Sequence, residues 1–200
     1  LEQPLPASFY EKPTLELAEA LIGKKLISIS EQGETSGYIV ETEAYIGPLD
    51  RAAHSFNNRR TKRTEVMYHA PGSIYTYVMH THCLLNIVSG DIDAPEGVLI
   101  RALEPLDGLP LMYQRRQRAK KDSDLTSGPG KLTQALGITL SFYGKRIDAP
   151  PLFVTEGKTF EKVASGPRVG IDNSGEAKDY PWRFFVPDHP CVSKKRSIST

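Results

Sequence analysis

Residues 38–47, YIVETEAYIG, alternate between two kinds of side chain with a period of two. Val40, Thr42, Ala44 and Ile46 share one side of an extended chain, and Glu41, Glu43 and Tyr45 share the other. A helix would scatter both sets around its circumference, so the pattern predicts a strand with one apolar face against a core. SIYTYVM (73–79) alternates again, with Ile74, Thr76 and Val78 opposite Tyr75, Tyr77 and Met79. KLISIS (25–30) precedes the long strand across a turn, EQGETSG, which predicts a hairpin. LLNIVS (84–89) and GVLIRAL (97–103) read as further strands of a meander, with a short polar tip, HTHC, before them. Strands joined by such short turns must run antiparallel.

Helical patterns are fewer. In PTLELAEALIG (13–23), Leu15, Ala18 and Ile22 form one stripe that Leu17 and Leu21 widen, and Gly23 suits the C-terminal cap. LDGLPLMYQRRQRAKK (106–121) begins as a helix and ends as a basic loop. TSGPGKLTQALGI (126–138) predicts a helix opening at Ser127 or Gly128 and stopping at Gly137. PLDRAAHSFNN reads as a loop with one helical turn, TKRTEVM as a short helix, and the stretch from PLFVTEG to PWRFFVP as further short strands. No repeat or low-complexity linker divides the chain. The expectation is one α+β domain over residues 1–200, long enough to bury a core without staples.

The formal net charge is only +1, which excludes a uniformly basic chain. The distribution is uneven: RRTKR (59–63), RRQRAKK (115–121) and KKR (194–196) are basic, while glutamates dominate the first 35 residues. Such asymmetry places positive potential on one side of a near-neutral protein. No apolar run approaches the roughly 20 residues of a membrane span, and the N-terminus lacks a signal-peptide pattern. Two cysteines, Cys83 and Cys191, make no disulfide framework and predict a reduced, intracellular setting.

On residue types alone, Glu41 and Glu43 read as solvated glutamates on a half-exposed strand. The sharper reading is a general base beside an aromatic platform, since burial against a ring raises a carboxylate's basicity. Paired carboxylates on one strand suit a glycoside hydrolase poorly, because its acid and base flank the sugar. His69, His80, His82 and Cys83 are donors that zinc takes, but no second paired cluster accompanies them and no metal is expected. SGPGK lacks the P-loop spacing, although a helix opening there with Lys131 can hold a backbone phosphate.

IVETEAYIGPLDRAAHS, APGSIYTYV, LNIVS, VLIRALEPLDG, SGPGKLTQALGI and RVGI…WRFFV occur in that order. Together, from about Pro13 to Ser193, they resemble the alkyladenine (3-methyladenine, or methylpurine) DNA glycosylases. The resemblance implies a single compact domain with a curved, mostly antiparallel sheet, surrounding helices and a protruding hairpin that enters DNA. It implies a monofunctional base-excision enzyme that flips 3-methyladenine, 7-methylguanine, hypoxanthine or ethenoadenine and hydrolyses the N-glycosidic bond, leaving an abasic site. Glu43 matches the base that activates water, and Arg101 the residue that positions that water with it. Tyr45, His54 and Tyr77 match the walls and polar contacts of the base pocket. Asn86 matches the residue that rejects the amino group of guanine, and Leu99 the pocket floor. His80 stands where the best-known member has a tyrosine wedge, with His82 or Leu84 able to share that task. Arg59, Arg60 and Lys131 are the expected phosphate contacts. The implied partner is double-stranded DNA containing damaged purines, with no cofactor, no membrane, a monomeric state and a cytoplasmic, nucleoid-associated location (nuclear in a eukaryote). Two other classes stay open on residue types: a non-catalytic damage-binding module, and a nucleoside or sugar hydrolase using Glu41 with Glu43.

Overall fold

The long alternating strand becomes the centre of the molecule. In a computed structural model that describes residues 2–193, β1 (Lys25–Ser30) and β2 (Gly33–Ile46) form the expected hairpin. The turn is tighter than the sequence suggested: Glu31 and Gln32 alone connect the strands, and most of EQGETSG is strand. The basic triplet at 194–196 lies outside the described residues. β3 (Ile74–Met79), β4 (His82–Ser89) and β5 (Glu96–Pro105) form the expected meander, and β5 returns to pair with β2. Four shorter strands follow, β6 (Asp148–Ala149), β7 (Leu152–Thr155), β8 (Ala164–Gly166) and β9 (Arg183–Phe185). The sheet order is β3-β4-β5-β2-β1-β7-β6, all antiparallel, and the sheet curls strongly into a half-barrel within one domain.

One edge of β2 changes partner part-way along. β1 covers Gly33–Tyr38, and β9 then takes over at Glu41–Glu43, while β5 runs along the other edge with a bulge around Glu41. Glu43 is thereby fixed between Leu99 on β5 and Arg183 on β9. Both faces of this part of the sheet are buried. Ile39, Ala44, Ile74, Leu85, Ile87 and Ile100 pack into the main core, together with the helices. Tyr75, Tyr77, Leu84 and Leu99 point the other way into a second cluster, against which Tyr45 packs. This corrects the expectation of a half-exposed strand: Glu41 and Glu43 are both 0% exposed. The alternation separates two interiors, an apolar one and one lined by charge and aromatic rings.

α1 (Thr14–Ala20) lays Leu17 and Ala18 on the main core, where full burial of a Leu contributes roughly 1.5–3 kcal/mol. It ends short of Gly23, which has φ +87° and sits in the turn into β1 rather than at the cap. α2 (Leu109–Arg115) and α4 (Pro129–Leu136) occupy their expected places, α4 between Gly128 and a left-handed Gly137. α3 (Asp122–Thr126) follows the basic loop, in residues to which the sequence pattern assigns no element before Thr126. The segments after β2 form short 3-10 turns, including Phe56–Asn58 and Glu65–Tyr68.

The β3–β4 hairpin ends in His80 and Thr81, both with positive φ (+46° and +73°). A two-residue turn of this kind matches strand twist but favours Asn-Gly, and non-glycine residues there carry roughly 1–2 kcal/mol of strain each. The neighbouring Val78 and Met79 are 50% and 42% exposed, so the tip is an apolar, strained projection. The start of α4 braces its base. Thr133 Oγ1 donates to the Cys83 carbonyl at 2.6 Å, and Gly130 packs so closely on His82 that a Cβ there would lie 2.6 Å from the histidine Cβ.

Candidate active site

Six charged side chains meet beside the midpoint of β2, all buried. Glu41, Glu43 and Asp50 supply three carboxylates; Arg101, Arg168 and Arg183 supply three guanidinium groups. An unpaired buried charge costs several kcal/mol, so the equal count is what allows this interior to form. Glu41 is saturated. Its Oε1 accepts from Arg101 Nε (3.0 Å), Arg183 Nε (2.7 Å) and Ser193 Oγ (2.8 Å), and its Oε2 accepts from the Ser193 amide (2.7 Å). Glu43 is held differently. Its Oε1 accepts from the Val169 amide at 2.6 Å and lies 3.4 Å from Arg101 Nε, and its Oε2 accepts from the Tyr45 hydroxyl at 2.8 Å. Burial alone would lower the Arg101 pKa, but the Glu43 and Glu41 carboxylates raise it above its ordinary value.

The third pair shapes the wall. Arg168 donates to both oxygens of Asp50, at 2.6 and 2.8 Å, and to the Ala44 carbonyl at 2.9 Å. Its guanidinium lies 4.7 Å from the centre of the Tyr45 ring and 5.0 Å from that of Trp182. The same short segment therefore backs the Tyr45 ring through Arg168 and grips Glu43 through the next residue's amide.

These groups border a cleft of about 1220 Å³. Tyr45, His54, Tyr77, Asn86, Leu99 and Arg101 all line it. Glu43 does not: Tyr45, Arg101 and Val169 form the surface and screen the carboxylate. The His54 ring meets the Tyr77 ring edge-on at 4.5 Å, and its Nδ1 is 2.9 Å from the Tyr75 hydroxyl. Asn86 donates from Nδ2 to the Tyr75 carbonyl at 3.2 Å, which fixes its side chain on the wall. Burial pushes the Tyr75 hydroxyl up to about 12 and raises Tyr77 as well, so both rings stay neutral.

His54 is pushed down to about 4, by burial first and then by Arg63 and Arg59. An unfolded chain takes up that proton near pH 6.5, whereas the folded one waits until about pH 4. The unfolded state thus binds more protons in this window, and stability falls as pH drops through it. A proton NMR titration should show the His54 ring unprotonated from pH 8 down to pH 5. A midpoint above about 6 would contradict this environment.

The remaining expected residues sit around the rim. His80 lies at the hairpin tip on the cleft edge, with His82 and Met79 beside it. Lys131 lines the same cleft at the start of α4, its Nζ 3.4 Å from Ser127 Oγ. Arg59 is exposed on the far side of His54. Arg60 differs from it: Glu65 and Asp93 both bind its guanidinium, at 2.7 to 3.0 Å, and it lies 4.5 Å from the Tyr68 ring centre. Among the described residues, His69, His80, His82 and Cys83 do not gather into a three-donor metal cluster. Sequence reasoning gave no role to Arg168, Arg183, Asp50, Val169 or Ser193. The signal was that Asp50 lies in the matching segment IVETEAYIGPLDRAAHS, Arg168 and Val169 in RVGI, and Arg183 in WRFFV.

The chain is similar to known proteins over nearly its whole length. The family model described as methylpurine-DNA glycosylase matches residues 8–190. A protein of Bacillus licheniformis is 59% identical over 192 residues, covering 96% of this chain and 97% of its own. One from Bacillus subtilis is 56% identical over 193 residues (96% and 98%), and one from Shouchella clausii 43% over 196 (98% of each). Each is provisionally named a 3-methyladenine DNA glycosylase.

Proposed function

The chain belongs to the methylpurine-DNA glycosylase family, and on that premise we propose how this site removes a damaged purine. The protein is a DNA glycosylase for alkylated bases. The substrates we assign are 3-methyladenine, 7-methylguanine, hypoxanthine and ethenoadenine in duplex DNA. The observation that carries the reading is the cleft itself: two tyrosines, a histidine and Arg101 line it, and the buried carboxylate of Glu43 lies 3.4 Å from Arg101 Nε.

A duplex hides its glycosidic bonds, so the nucleotide must be extruded. The apolar tip at Val78, Met79 and His80 is the group suited to fill the gap it leaves. Stacking on Tyr45 and Tyr77 returns roughly 1–3 kcal/mol per ring and gains a cation–π component when the purine is alkylated and cationic. Leu99 closes the floor. Asn86, tethered to the Tyr75 carbonyl, stands where the extra amino group of guanine would collide. Glu43 is the final acceptor of the proton from the attacking water, and Arg101 orients that water. Glu41 takes no part in chemistry, because its oxygens already hold two arginines and Ser193. That observation removes the second carboxylate a sugar hydrolase would need. Lys131 on the cleft and Arg59 beyond His54 are the charges we assign to phosphates, which makes binding salt-sensitive.

The test is incubation with a duplex carrying one 7-methylguanine or one hypoxanthine, followed by alkaline cleavage at abasic sites. Strand cleavage that requires the lesion, together with no hydrolysis of the free nucleoside, is the expected result. Tight lesion binding with no base released would favour a non-catalytic module. Equal hydrolysis of free nucleosides would favour a nucleoside hydrolase.

A further inference from the structure

We infer that the buried pair of Asp50 and Arg168 sets how strongly the base pocket prefers a cationic purine over a neutral one. This rests on the function proposed above, in which a flipped purine stacks on Tyr45, and adds what tunes that stacking. An aromatic ring has two faces. The Arg168 guanidinium occupies one face of Tyr45, 4.7 Å from the ring centre, with the Trp182 ring centre 5.0 Å away. A purine that stacks on Tyr45 must therefore use the other face. Arg168 has no free group to offer that purine. Its side chain is 0% exposed, and its two terminal nitrogens spend their hydrogens on Asp50 and on the Ala44 and Ala177 carbonyls. Its influence on the base passes through the ring.

A cation on one face of a ring draws on the same π charge that holds a cation on the other. By itself, Arg168 would oppose a positively charged base across Tyr45. Asp50 removes that opposition. Its Oδ2 and Oδ1 bind the guanidinium at 2.6 and 2.8 Å. Backbone amides fix the carboxylate in turn: that of Ile46 donates to Oδ2 at 3.1 Å and that of Ala52 to Oδ1 at 3.0 Å. Among the described residues, Asp50 is the one anion paired with Arg168, since Glu41 and Glu43 pair with Arg101 and Arg183. Three carboxylates thus balance three guanidinium groups, and a cationic lesion enters a site with no net buried charge. A neutral purine carries no charge for the pair to act on. Asp50 is therefore a specificity-determining residue that touches no substrate.

Equilibrium binding tests this apart from the chemistry. The probes are two duplexes, one holding 7-methylguanine and one hypoxanthine, each with fluorine at C2′ of the lesion sugar to slow bond cleavage. In mildly acidic buffer the first base is cationic and the second neutral, while His54, pushed down to about 4, stays neutral. Asp50→Asn leaves the guanidinium uncompensated behind the ring. A unit charge roughly 9 Å from the base, through an effective dielectric of about 20, is worth about 20-fold in affinity. The ratio of 7-methylguanine to hypoxanthine affinity should therefore fall roughly 10- to 30-fold. Arg168→Gln keeps the carboxylate with its two backbone donors and should raise the same ratio. The two substitutions together should return it to within about threefold of wild type. A purely structural role would weaken both lesions in parallel and leave the ratio unmoved. A ratio within about twofold of wild type in Asp50→Asn would overturn the assignment, and Arg168→Gln decides by the same limit if circular dichroism shows Asp50→Asn unfolded. A wild type that binds neither lesion more tightly than undamaged duplex and releases neither base from unfluorinated DNA would overturn the proposed function. Wild-type excision beside an unmoved ratio overturns this inference alone.

Discussion

Glu43→Gln is expected to slow single-turnover base excision by about 10³-fold or more, while lesion-duplex binding stays near wild type. The substitution is close to isosteric. The amide oxygen can still accept from the Val169 amide, and the amide nitrogen can donate to the Tyr45 oxygen, so both contacts seen at this side chain have replacements. What the variant lacks is a group able to take a proton. General base catalysis typically accounts for 10²–10⁴-fold, and the upper part of that range applies where no other carboxylate can substitute. Here none can, since Glu41 is saturated by Arg101, Arg183 and Ser193. The measurement is a quenched time course on a single-lesion duplex beside a gel-shift titration. A variant that binds and still excises within about tenfold of wild type would place the base elsewhere.

The parts of this molecule that were legible in the sequence are those fixed by local periodicity. β2, the β3–β4–β5 meander and α4 with its two glycines follow from alternation and caps, which need no distant partner. β8 and β9 fall in the stretch read as further short strands, whereas α3 is five residues long, too short for any period to register. The environment of Glu41 and Glu43 was the main misreading, and its cause is sequence distance. Their compensating charges arrive from Arg101, 60 residues from Glu41, and from Arg183, 142 residues away. A strand's own pattern shows a polar face and is silent on whether arginines from β5 and β9 will close over it. The turn at His80 is a different case. Its left-handed backbone normally announces itself with Asn-Gly, and His-Thr gives no such signal. Which residues matter in the cleft came from the family resemblance. Which of them hold one another, such as Arg168 on Asp50 and Tyr45, came only from the fold.

Glu41→Gln should therefore be strongly destabilising, costing about 3–5 kcal/mol of unfolding free energy. The carboxylate is 0% exposed and is the only anion in contact with Arg183, and it shares Arg101 with Glu43, among the described residues. Replacing it with an amide leaves two buried guanidinium groups facing one carboxylate. The amide's NH₂ group also meets a donor wherever it points, since Oε1 and Oε2 both accept in the native protein. Arg101 then has one anion left and moves fully onto Glu43, so the protein that does fold should excise more slowly than wild type. Glu104→Gln is the matching control. Glu104 pairs with Lys158 and His189 near the surface, where loss of one partner costs about 1 kcal/mol or less. Urea unfolding of the two variants beside wild type measures both effects. A Glu41→Gln midpoint no lower than that of Glu104→Gln would mean that the buried arginines do not need the charge. In that case β2 would hold its active-site register through backbone pairing with β5 and β9 alone.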